Sequence, residues 1–379
     1  MTEKLYYLDA YIKEFDAEII SITPVESGYQ VVLDKTAFFP EEGGQRSDSG
    51  RIGAARVIHV YEFDGVIYHI TDSDPGLGKC HCILDFDLRF DRMQCHTAEH
   101  ILCGIIHNLF GLDNVGFHLG DDEVTFDVNG VLTREDLDRV EDLANRVVFE
   151  NLSVSTHFPT AEELQFIEYR AKLDITEGVR LVKIADVDTC ACCAPHVSNT
   201  GEIGLIKILD FMKHRGGTRI WMVAGSRALK DYRTKYENVK RISAMLSVPQ
   251  IDTANALESY TADTEEIRTA LKAARLKIAE LEAEKIQPTE ASAVFYLPDF
   301  TIPELIAFSN VANKKIGGMT VALCGNDGDY KYVISSINHD LKPLSKEINR
   351  ALSGRGGGRS EMIQGSFAAT LSQIKDYFK

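Results

Sequence analysis

The sequence has 379 residues, 44% of them hydrophobic, and a formal net charge of −16. This size allows two or three domains with buried cores, whereas the acidic charge argues against a general nucleic-acid binder, because phosphate neutralisation supplies most non-specific affinity. No basic segment leads into an apolar one at the N-terminus, and no apolar run is as long as a membrane span, so we predict a cytoplasmic protein. The eight cysteines indicate thiols that are kept reduced or bound to metal.

Residues 1–87 show the pattern of a small β-barrel. Short runs such as residues 30–33 and 66–70 alternate apolar and polar side chains, and glycine and aspartate turns separate them. Within this segment, the sequence Gly43-Gly44-Gln45 lies in a turn-rich stretch near the edge of the predicted barrel. These residues alone favour a tight turn with an exposed glutamine. The alternative is an amide that orients water or holds a sugar hydroxyl.

A helix is predicted next. Asp91 followed by Gln94 resembles a helix N-cap with its capping-box partner, and Gly111 is a typical stop. The aliphatic residues between them share one face when residues are placed about 100° apart, namely Ala98, Ile101, Leu102, Ile105, Ile106 and Leu109. His96 and His100 lie on the opposite face, away from the aliphatic core. Cys103 and His107 share that face, so the helix alone does not identify which side chains bind a ligand.

A second pair, Cys192 and His196, is expected in a loop between strands predicted over residues 179–185 and 203–211, since Pro195 disfavours a helix there. Three imidazoles and one thiolate match the ligand number and type of a tetrahedral zinc site. The alternative is that Cys190, Cys192 and Cys193 are small buried residues in a reducing compartment. Spacing alone favours neither interpretation.

Two segments carry positive charge on this acidic chain. Residues 213–241 hold nine Lys/Arg against Asp231 and Glu237, and residues 342–379 hold seven against three acidic residues. They are either ordinary solvated helix faces or basic tracks that bind a polyanion. The second segment contains Gly354-Arg355-Gly356-Gly357-Gly358-Arg359, which is compatible with a flexible turn or with a phosphate-binding loop.

A heptad pattern marks residues 252–286. Apolar residues recur there at alternating steps of three and four, without glycine or proline, which predicts a long helix that could pair with a second copy. Alternating strand and helix patterns follow, over residues 293–296, 302–313, 320–324, 331–335 and 341–352. They predict a compact C-terminal α/β domain.

Four separated motifs resemble one known family. Residues 36–50 (T-A-F-F-P-E-E-G-G-Q-R-S-D-S-G), 92–102, 192–203 (C-C-A-P-H-V-S-N-T-G-E-I) and the later R-I-W-M-V-A-G look like the editing half of alanyl-tRNA synthetase and its free-standing version, the AlaX proteins. The resemblance runs from about Thr36 to the C-terminus. It departs at Ala194-Pro195, where the family often has Gly-Thr, and at Cys193, which becomes a rival to Cys192 as a ligand.

The resemblance implies a zinc-dependent hydrolase that removes wrongly attached amino acids, chiefly serine and also glycine, from alanine tRNA. The zinc ligands would be His96, His100, Cys192 and His196. The polar contacts at the substrate would come from Gln45, Thr36 and Thr125. The predicted RNA contacts are Arg215, Arg219, Arg355, Gly356, Gly357, Gly358 and Arg359. Whether zinc activates water or holds the substrate stays open.

The predicted fold class is α+β multidomain. It comprises a β-barrel with the Gly-Gly-Gln loop (1–87), a zinc-binding editing domain (88–240), a coiled-coil linker (241–288) that forms a homodimer through residues 252–286, and an α/β domain resembling the DHH-associated C-terminal domain (289–379). Two alternatives remain from the sequence. One is a non-catalytic tRNA-binding module with a structural zinc, and the other is a zinc hydrolase of a small ester or amide. A related metal pattern in the editing domain of threonyl-tRNA synthetase leaves the tRNA identity less certain than the reaction type.

Overall fold

The computed structural model describes residues 1–121, 123–171 and 178–379. The chain divides into two compact units, Met1–Asn238 and Val239–Lys379. Within the described ranges, no helix is both long and apolar enough to cross a membrane. The predicted mixed α/β, multidomain character is confirmed by the sheets and eight α-helices of the described chain. The four predicted domain boundaries stay a prediction.

The first unit begins with antiparallel strands. Six of them pair in a closed barrel in the order β2-β3-β7-β6-β5-β8, and β1 pairs in parallel with β4. The hairpin between β6 and β7 turns at Asp64 and Gly65, which both have positive φ (48° and 73°), as a two-residue hairpin turn requires. The strands are β1 (Glu3–Lys4), β2 (Glu14–Val25), β3 (Gly28–Leu33), β4 (Lys35–Thr36), β5 (Gly50–Ile52), β6 (Ala55–Phe63), β7 (Val66–Thr71) and β8 (Gly78–Leu84).

The rest of this unit packs around helix α1. Two sheets accompany the helix, a four-stranded sheet in the order β14-β15-β10-β9 and a three-stranded sheet in the order β11-β12-β13. The elements are α1 (Phe86–Phe110), β9 (Asn114–Leu119), β10 (Val124–Val128), α2 (Arg134–Glu150), β11 (Val154–His157), α3 (Ala161–Leu164), β12 (Leu181–Ile184), β13 (Asp188–Ala191), β14 (Ile206–His214) and β15 (Gly217–Ala224). Helix α4 (Gly225–Leu246) begins in this unit and ends in the second.

Helix α1 differs from its prediction at the start and on its polar face. It begins at Phe86, and Asp91 lies inside it, where the carboxylate accepts from Ser226 Oγ (2.6 Å) and Arg227 Nε (2.8 Å). The prediction of Asp91 as the N-cap was therefore wrong, because this carboxylate serves a tertiary contact. Gly111 ends the helix in the left-handed conformation, as predicted. The middle of the helix is buried on every side, so the histidine face lies in the interior.

The second unit contains one five-stranded sheet in the order β16-β17-β18-β20-β19, in which only β16 and β17 run parallel. Helix α5 packs on α6 through Ala279 and Ala283, whereas its heptad residues, such as Ile267 and Leu271, are exposed. The elements are α5 (Thr253–Glu284), β16 (Ala293–Tyr296), α6 (Ile302–Ala312), β17 (Thr320–Asn326), β18 (Asp329–Ser335), α7 (Leu341–Ala351), β19 (Gly354–Gly358), β20 (Met362–Phe367) and α8 (Leu371–Tyr377).

The glycine-rich segment is an edge strand, which corrects the prediction of a turn or a phosphate-binding loop. Gly354–Gly358 forms β19, antiparallel to β20. A Cβ atom on Gly356 would lie 2.3 Å from Gln364 O and 2.4 Å from the Tyr332 hydroxyl. The close approach of these neighbours explains the glycine at position 356. The glycines therefore do not by themselves indicate an anion site.

Candidate metal centre and substrate cavity

Two distant parts of the first unit meet at one cluster. His96 and His100 come from α1, and Cys192 and His196 come from the loop that follows β13. The ligand atoms of these four residues lie within 4.8 Å of one another, and the three histidines are at most 4% exposed. We refer to these four residues as the four-donor cluster.

Each histidine of the cluster is oriented by a partner on its Nδ1 atom. His96 Nδ1 lies 2.8 Å from Gln45 Oε1, and His100 Nδ1 lies 3.1 Å from Asp188 Oδ2. Both partner oxygens are acceptors, so both Nδ1 atoms donate. His196 Nδ1 lies 3.0 Å from Thr97 Oγ1, whose own proton goes to a backbone carbonyl of α1. A neutral ring at each of the three positions would therefore carry its lone pair on Nε2, which is the tautomer that binds metal.

The distances inside the cluster fit a tetrahedral ion. Bonds of about 2.3 Å to sulfur and 2.0–2.1 Å to nitrogen, at tetrahedral angles, separate the two ligand atoms by about 3.5–3.6 Å. The Nε2 atoms of His96 and His196 lie 3.6 Å and 3.4 Å from Cys192 Sγ. The donor set and its spacing therefore fit zinc, whose preferred ligands are imidazole and thiolate.

The metal-free cluster divides its charge between Cys192 and His100: burial opposes protonation of His100, but Cys190, Asp188 and Cys192 raise its pKa well above the usual value. Burial opposes ionisation of the Cys192 thiol, but His96, His196 and a hydrogen bond with His100 hold its pKa well below the usual value. Burial lowers the pKa of His196 to about 3. The cluster therefore combines a thiolate with a neutral imidazole at position 196.

The two neighbouring cysteines differ from Cys192. Burial raises the pKa of Cys193 far above its usual value and that of Cys190 to about 11, so both stay thiols. Cys193 packs against the barrel core and faces Gly43. The geometry thus brings Cys192, rather than Cys193, to the histidines. Cys190 lies with His100 and Asp188 in a second buried group, but Arg170 already pairs with Asp188 through Nε (2.7 Å) and Nη2 (2.9 Å).

The four-donor cluster opens on a cavity of about 350 Å³. Besides His96, His100 and Cys192, its wall includes polar residues from several elements, namely Tyr7, Glu42, Glu99, Asn114, Arg170 and Arg180. Arg180 is held in place because its Nη1 donates to the carbonyl oxygens of Cys192 and Ala194, both at 2.9 Å. A metal ion at the cluster would therefore face a space large enough for a small ligand.

Comparisons with known proteins identify the family of this chain. The sequence model of a family described as the threonyl and alanyl tRNA synthetase second additional domain matches residues 179–242. The alanyl-tRNA editing protein AlaX-L of Pyrococcus horikoshii is 30% identical over an alignment of 406 residues that covers 99% of this chain and 97% of that protein. The chain belongs to the alanyl-tRNA editing protein family.

Alanine–tRNA ligases match over a smaller share of their own length. The ligase of Halorubrum lacusprofundi is 30% identical over 94% of this chain and 40% of the ligase, and that of Pyrococcus abyssi is 30% identical over 100% of this chain and 42% of the ligase. This editing protein thus spans about two fifths of those ligases. The C-Ala domain of Aquifex aeolicus alanyl-tRNA synthetase matches 23% of this chain and 85% of that domain at 20% identity, with a TM-score of 0.20. The predicted family is confirmed.

The three predicted catalytic residues of this editing protein lie in different environments. Gln45 is fully buried and accepts a hydrogen bond from His96, whereas the local sequence favoured an exposed glutamine. Thr36 is also buried, and its hydroxyl bonds to His69 Nε2 (2.9 Å) inside the barrel. Thr125 lies on β10, paired with Trp221 and His118. Among the described residues, the cavity wall includes none of the three.

The predicted RNA-binding arginines differ in exposure and in ion pairing. Arg219 pairs in bidentate fashion with Asp127 (2.7 and 2.8 Å), which offsets much of its charge, and Arg215 lies in the turn between β14 and β15. Arg355 and Arg359 are exposed at and just beyond β19. Their side chains are accessible to a polyanion.

Sequence reasoning missed four polar residues around the cluster: Thr97, Glu99, Asp188 and Arg170. Thr97 and Glu99 lie between the two histidines, each next to one of them and three residues from the other, so their position was a usable signal. Asp188 contacts His100, and Arg170 contacts Asp188, only because β13 packs beside α1 in the folded chain. The sequence carries no local signal for these contacts.

Proposed function

We propose that this protein is a trans-editing deacylase that hydrolyses the ester of mischarged tRNA of alanine identity, carrying serine or glycine, in a zinc-dependent reaction. The observation that carries this proposal is the four-donor cluster in the wall of a 350 Å³ cavity. Family membership supplies the tRNA context.

Different residues would bind the ion and orient its ligands. His96, His100, Cys192 and His196 would hold zinc, which when bound supplies a Lewis acid that polarises the ester carbonyl or orients the substrate. Gln45 keeps His96 in its binding tautomer through the 2.8 Å contact with Nδ1. Gln45 is thus a positioning residue, because its amide oxygen is used before any substrate arrives.

Discrimination between serine and alanine requires a group that hydrogen-bonds the serine hydroxyl. Thr36 is a poor candidate, since its hydroxyl is already used by His69. Tyr7 lines the cavity, and no described residue forms a hydrogen bond with its hydroxyl. We therefore assign this contact to the Tyr7 hydroxyl. Tyr7→Phe should lower the preference for seryl over alanyl ester by about 10-fold, the effect of one buried hydrogen bond of about 1.5 kcal/mol.

Release of labelled serine from mischarged alanine tRNA tests the reaction. The wild-type protein should release serine, lose that activity on chelation, and act far more slowly on alanyl-tRNA. Equal hydrolysis of both esters would remove the editing role. The absence of hydrolysis by the zinc-loaded protein would favour a non-catalytic tRNA-binding module, an alternative to which the four protein ligands give some support because they can fill the coordination shell.

Metal analysis of two neighbouring variants tests the ligand set. Cys192→Ala should lose bound zinc, because the thiolate is one of four donors, whereas Cys193→Ala should keep it. The reverse result would transfer the ligand role to Cys193. Unchanged zinc in both variants would contradict the proposed centre.

Salt dependence of tRNA binding tests Arg355 and Arg359 as RNA contacts. Reversal of both charges should weaken binding and reduce the log–log salt slope by about 0.9 for each lost phosphate contact. Reversal at Arg219 should have a smaller effect, since Asp127 already pairs with it. An unchanged slope in the Arg355/Arg359 variant would remove β19 from the RNA surface, and turnover of small esters without RNA would favour a small-ester hydrolase.

A further inference from the structure

One acidic residue of the cavity wall has no role in the metal centre. Glu99 lies on α1 between His96 and His100, is 3% exposed, and lines the same cavity as both histidines. It is absent from the four-donor cluster. A carboxylate is rarely buried without a partner, because removing its charge from water is costly.

The carboxylate of Glu99 is fixed from one side. Asn114 Nδ2 donates a close hydrogen bond to Oε1, and the Cys103 thiol lies 3.3 Å from the same oxygen. The other oxygen, Oε2, lies 4.0 Å from His100 Nε2, which is the metal-facing atom of that ring. No described residue donates a hydrogen bond to Oε2. One oxygen is thus anchored, and the other stands beside the metal position without a donor.

The two arginine side chains of the cavity wall are already engaged. Arg170 makes two hydrogen bonds to Asp188, and Arg180 donates to the carbonyl oxygens of Cys192 and Ala194. A divalent ion at the cluster would offset the Cys192 thiolate and leave one positive charge, and four protein donors complete its tetrahedral shell without Glu99. Oε2 still has no hydrogen-bond donor among the described residues, and the ligand is the group that can supply one.

We propose that Glu99 Oε2 accepts a hydrogen bond from the α-ammonium group of the aminoacyl ester, so that this enzyme acts on esters with a free amine and rejects those with an acylated amine. The proposal rests on the proposed function, because the ligand is taken to be an aminoacyl group. An α-ammonium is the one cation that every aminoacyl ester carries. An N-acyl group removes that charge and adds bulk beside a buried carboxylate.

Two esters that differ only at the amine test the proposal. The probes are seryl-tRNA of alanine identity and the same tRNA after chemical N-acetylation, assayed at about pH 6.5, where an α-amino group is protonated. The wild type should cleave the free-amine ester about 10- to 100-fold faster, the range of a charge-assisted hydrogen bond. Glu99→Gln keeps the shape of the side chain and should bring this ratio close to one, mainly through a higher KM for the free-amine ester.

Controls separate the amine contact from other roles. Glu99→Gln should bind zinc with wild-type stoichiometry, and the exposed Glu150→Gln should keep the wild-type ratio. Loss of zinc in Glu99→Gln would make Glu99 a metal ligand and overturn the proposal. An equal loss of rate on both esters would do the same. A collapse of the ratio in Glu42→Gln instead would transfer the contact to the exposed carboxylate at the cavity rim.

A binding measurement keeps this test independent of hydrolysis. The probes are 3′-deoxy-3′-(L-serylamino)adenosine, in which an amide replaces the ester, and its N-acetyl derivative, titrated by calorimetry into the zinc-loaded protein. Preference of the wild type for the free amine, lost in Glu99→Gln, supports the proposal even if no ester is hydrolysed, in which case only the proposed function fails. Equal affinity of the wild type for both probes would overturn the role of Glu99.

Discussion

Asp188→Asn should weaken metal binding without removing any of the four donors. Asp188 is 6% exposed, and its carboxylate accepts from His100 Nδ1 at 3.1 Å and from Arg170 at 2.7 and 2.9 Å. An asparagine offers one acceptor where the carboxylate offers two, so its amino group must face either His100 or Arg170, and both are donors. The contact with His100 then loses either its acceptor or the negative charge of that acceptor.

The expected size of the effect follows from this contact. A hydrogen bond that involves a charged group contributes about 1.5–3 kcal/mol, and partners of metal-bound histidines typically contribute about 10- to 100-fold in metal affinity. We therefore expect Asp188→Asn to weaken zinc binding by about 10- to 100-fold. Competition for zinc against a chelator of known affinity measures this change, and thermal unfolding of the metal-free proteins shows whether the variant still folds.

A matched pair on the same helix provides the control. His107 and Asp113 form a histidine–aspartate contact of 2.9 Å at the exposed end of α1, away from the cluster. Asp113→Asn should leave zinc affinity within about twofold of the wild type, because exposed pairs contribute little. Zinc affinity that is equally unaffected in Asp188→Asn would refute the idea that Asp188 orients a metal ligand.

Three further predictions concern the second unit. Gly356→Ala should lower the free energy of unfolding of this unit by about 1–3 kcal/mol, because the new Cβ would lie 2.3 Å from a carbonyl oxygen of β20. Gly357→Ala has open space around its Cβ and should lower it by at most about 0.5 kcal/mol. Denaturant unfolding measures both changes. The hydrogen bond from Arg275 lowers the pKa of Glu304 to about 2, so this pair should stabilise the unit above about pH 4.5 and lose that contribution as the pH falls toward 2. Acid unfolding of Glu304→Gln should lack this dependence, and an identical acid curve would contradict it. Leu271→Lys, on the exposed heptad face, should convert a dimer to a monomer in light scattering, and a monomeric wild type would end the dimer prediction.

The four candidate metal donors were within reach of sequence reasoning, but the groups that orient them were not. His96 and His100 repeat at one helical turn, and Cys192 and His196 lie in a short loop, so each pair is visible locally. The partner of His100, by contrast, is Asp188, 88 positions away, which only the tertiary structure brings close. Local patterns identify ligands, whereas the outer contacts depend on how distant elements pack.

The same limit explains the two corrected elements. Asp91 has the right residue type for an N-cap, yet it lies inside α1, because its carboxylate pairs with Arg227 across the fold. The glycines from Gly354 to Gly358 were compatible with a loop, but the hydrogen bonds of β20 make them a strand. In both cases a long-range contact, which no local pattern records, decided the outcome.

The separation of the two candidate donor pairs along the chain would couple folding to metal binding. About 90 residues lie between His100 and Cys192, and they include α2 and five strands. An unfolded chain that gathered all four donors would have to close this long loop, at an entropic cost on the order of 4 kcal/mol. If the four-donor cluster binds zinc, the ion would therefore favour the folded chain, and its free concentration would raise the folded fraction by mass action. Depletion of zinc would then lower the amount of folded protein.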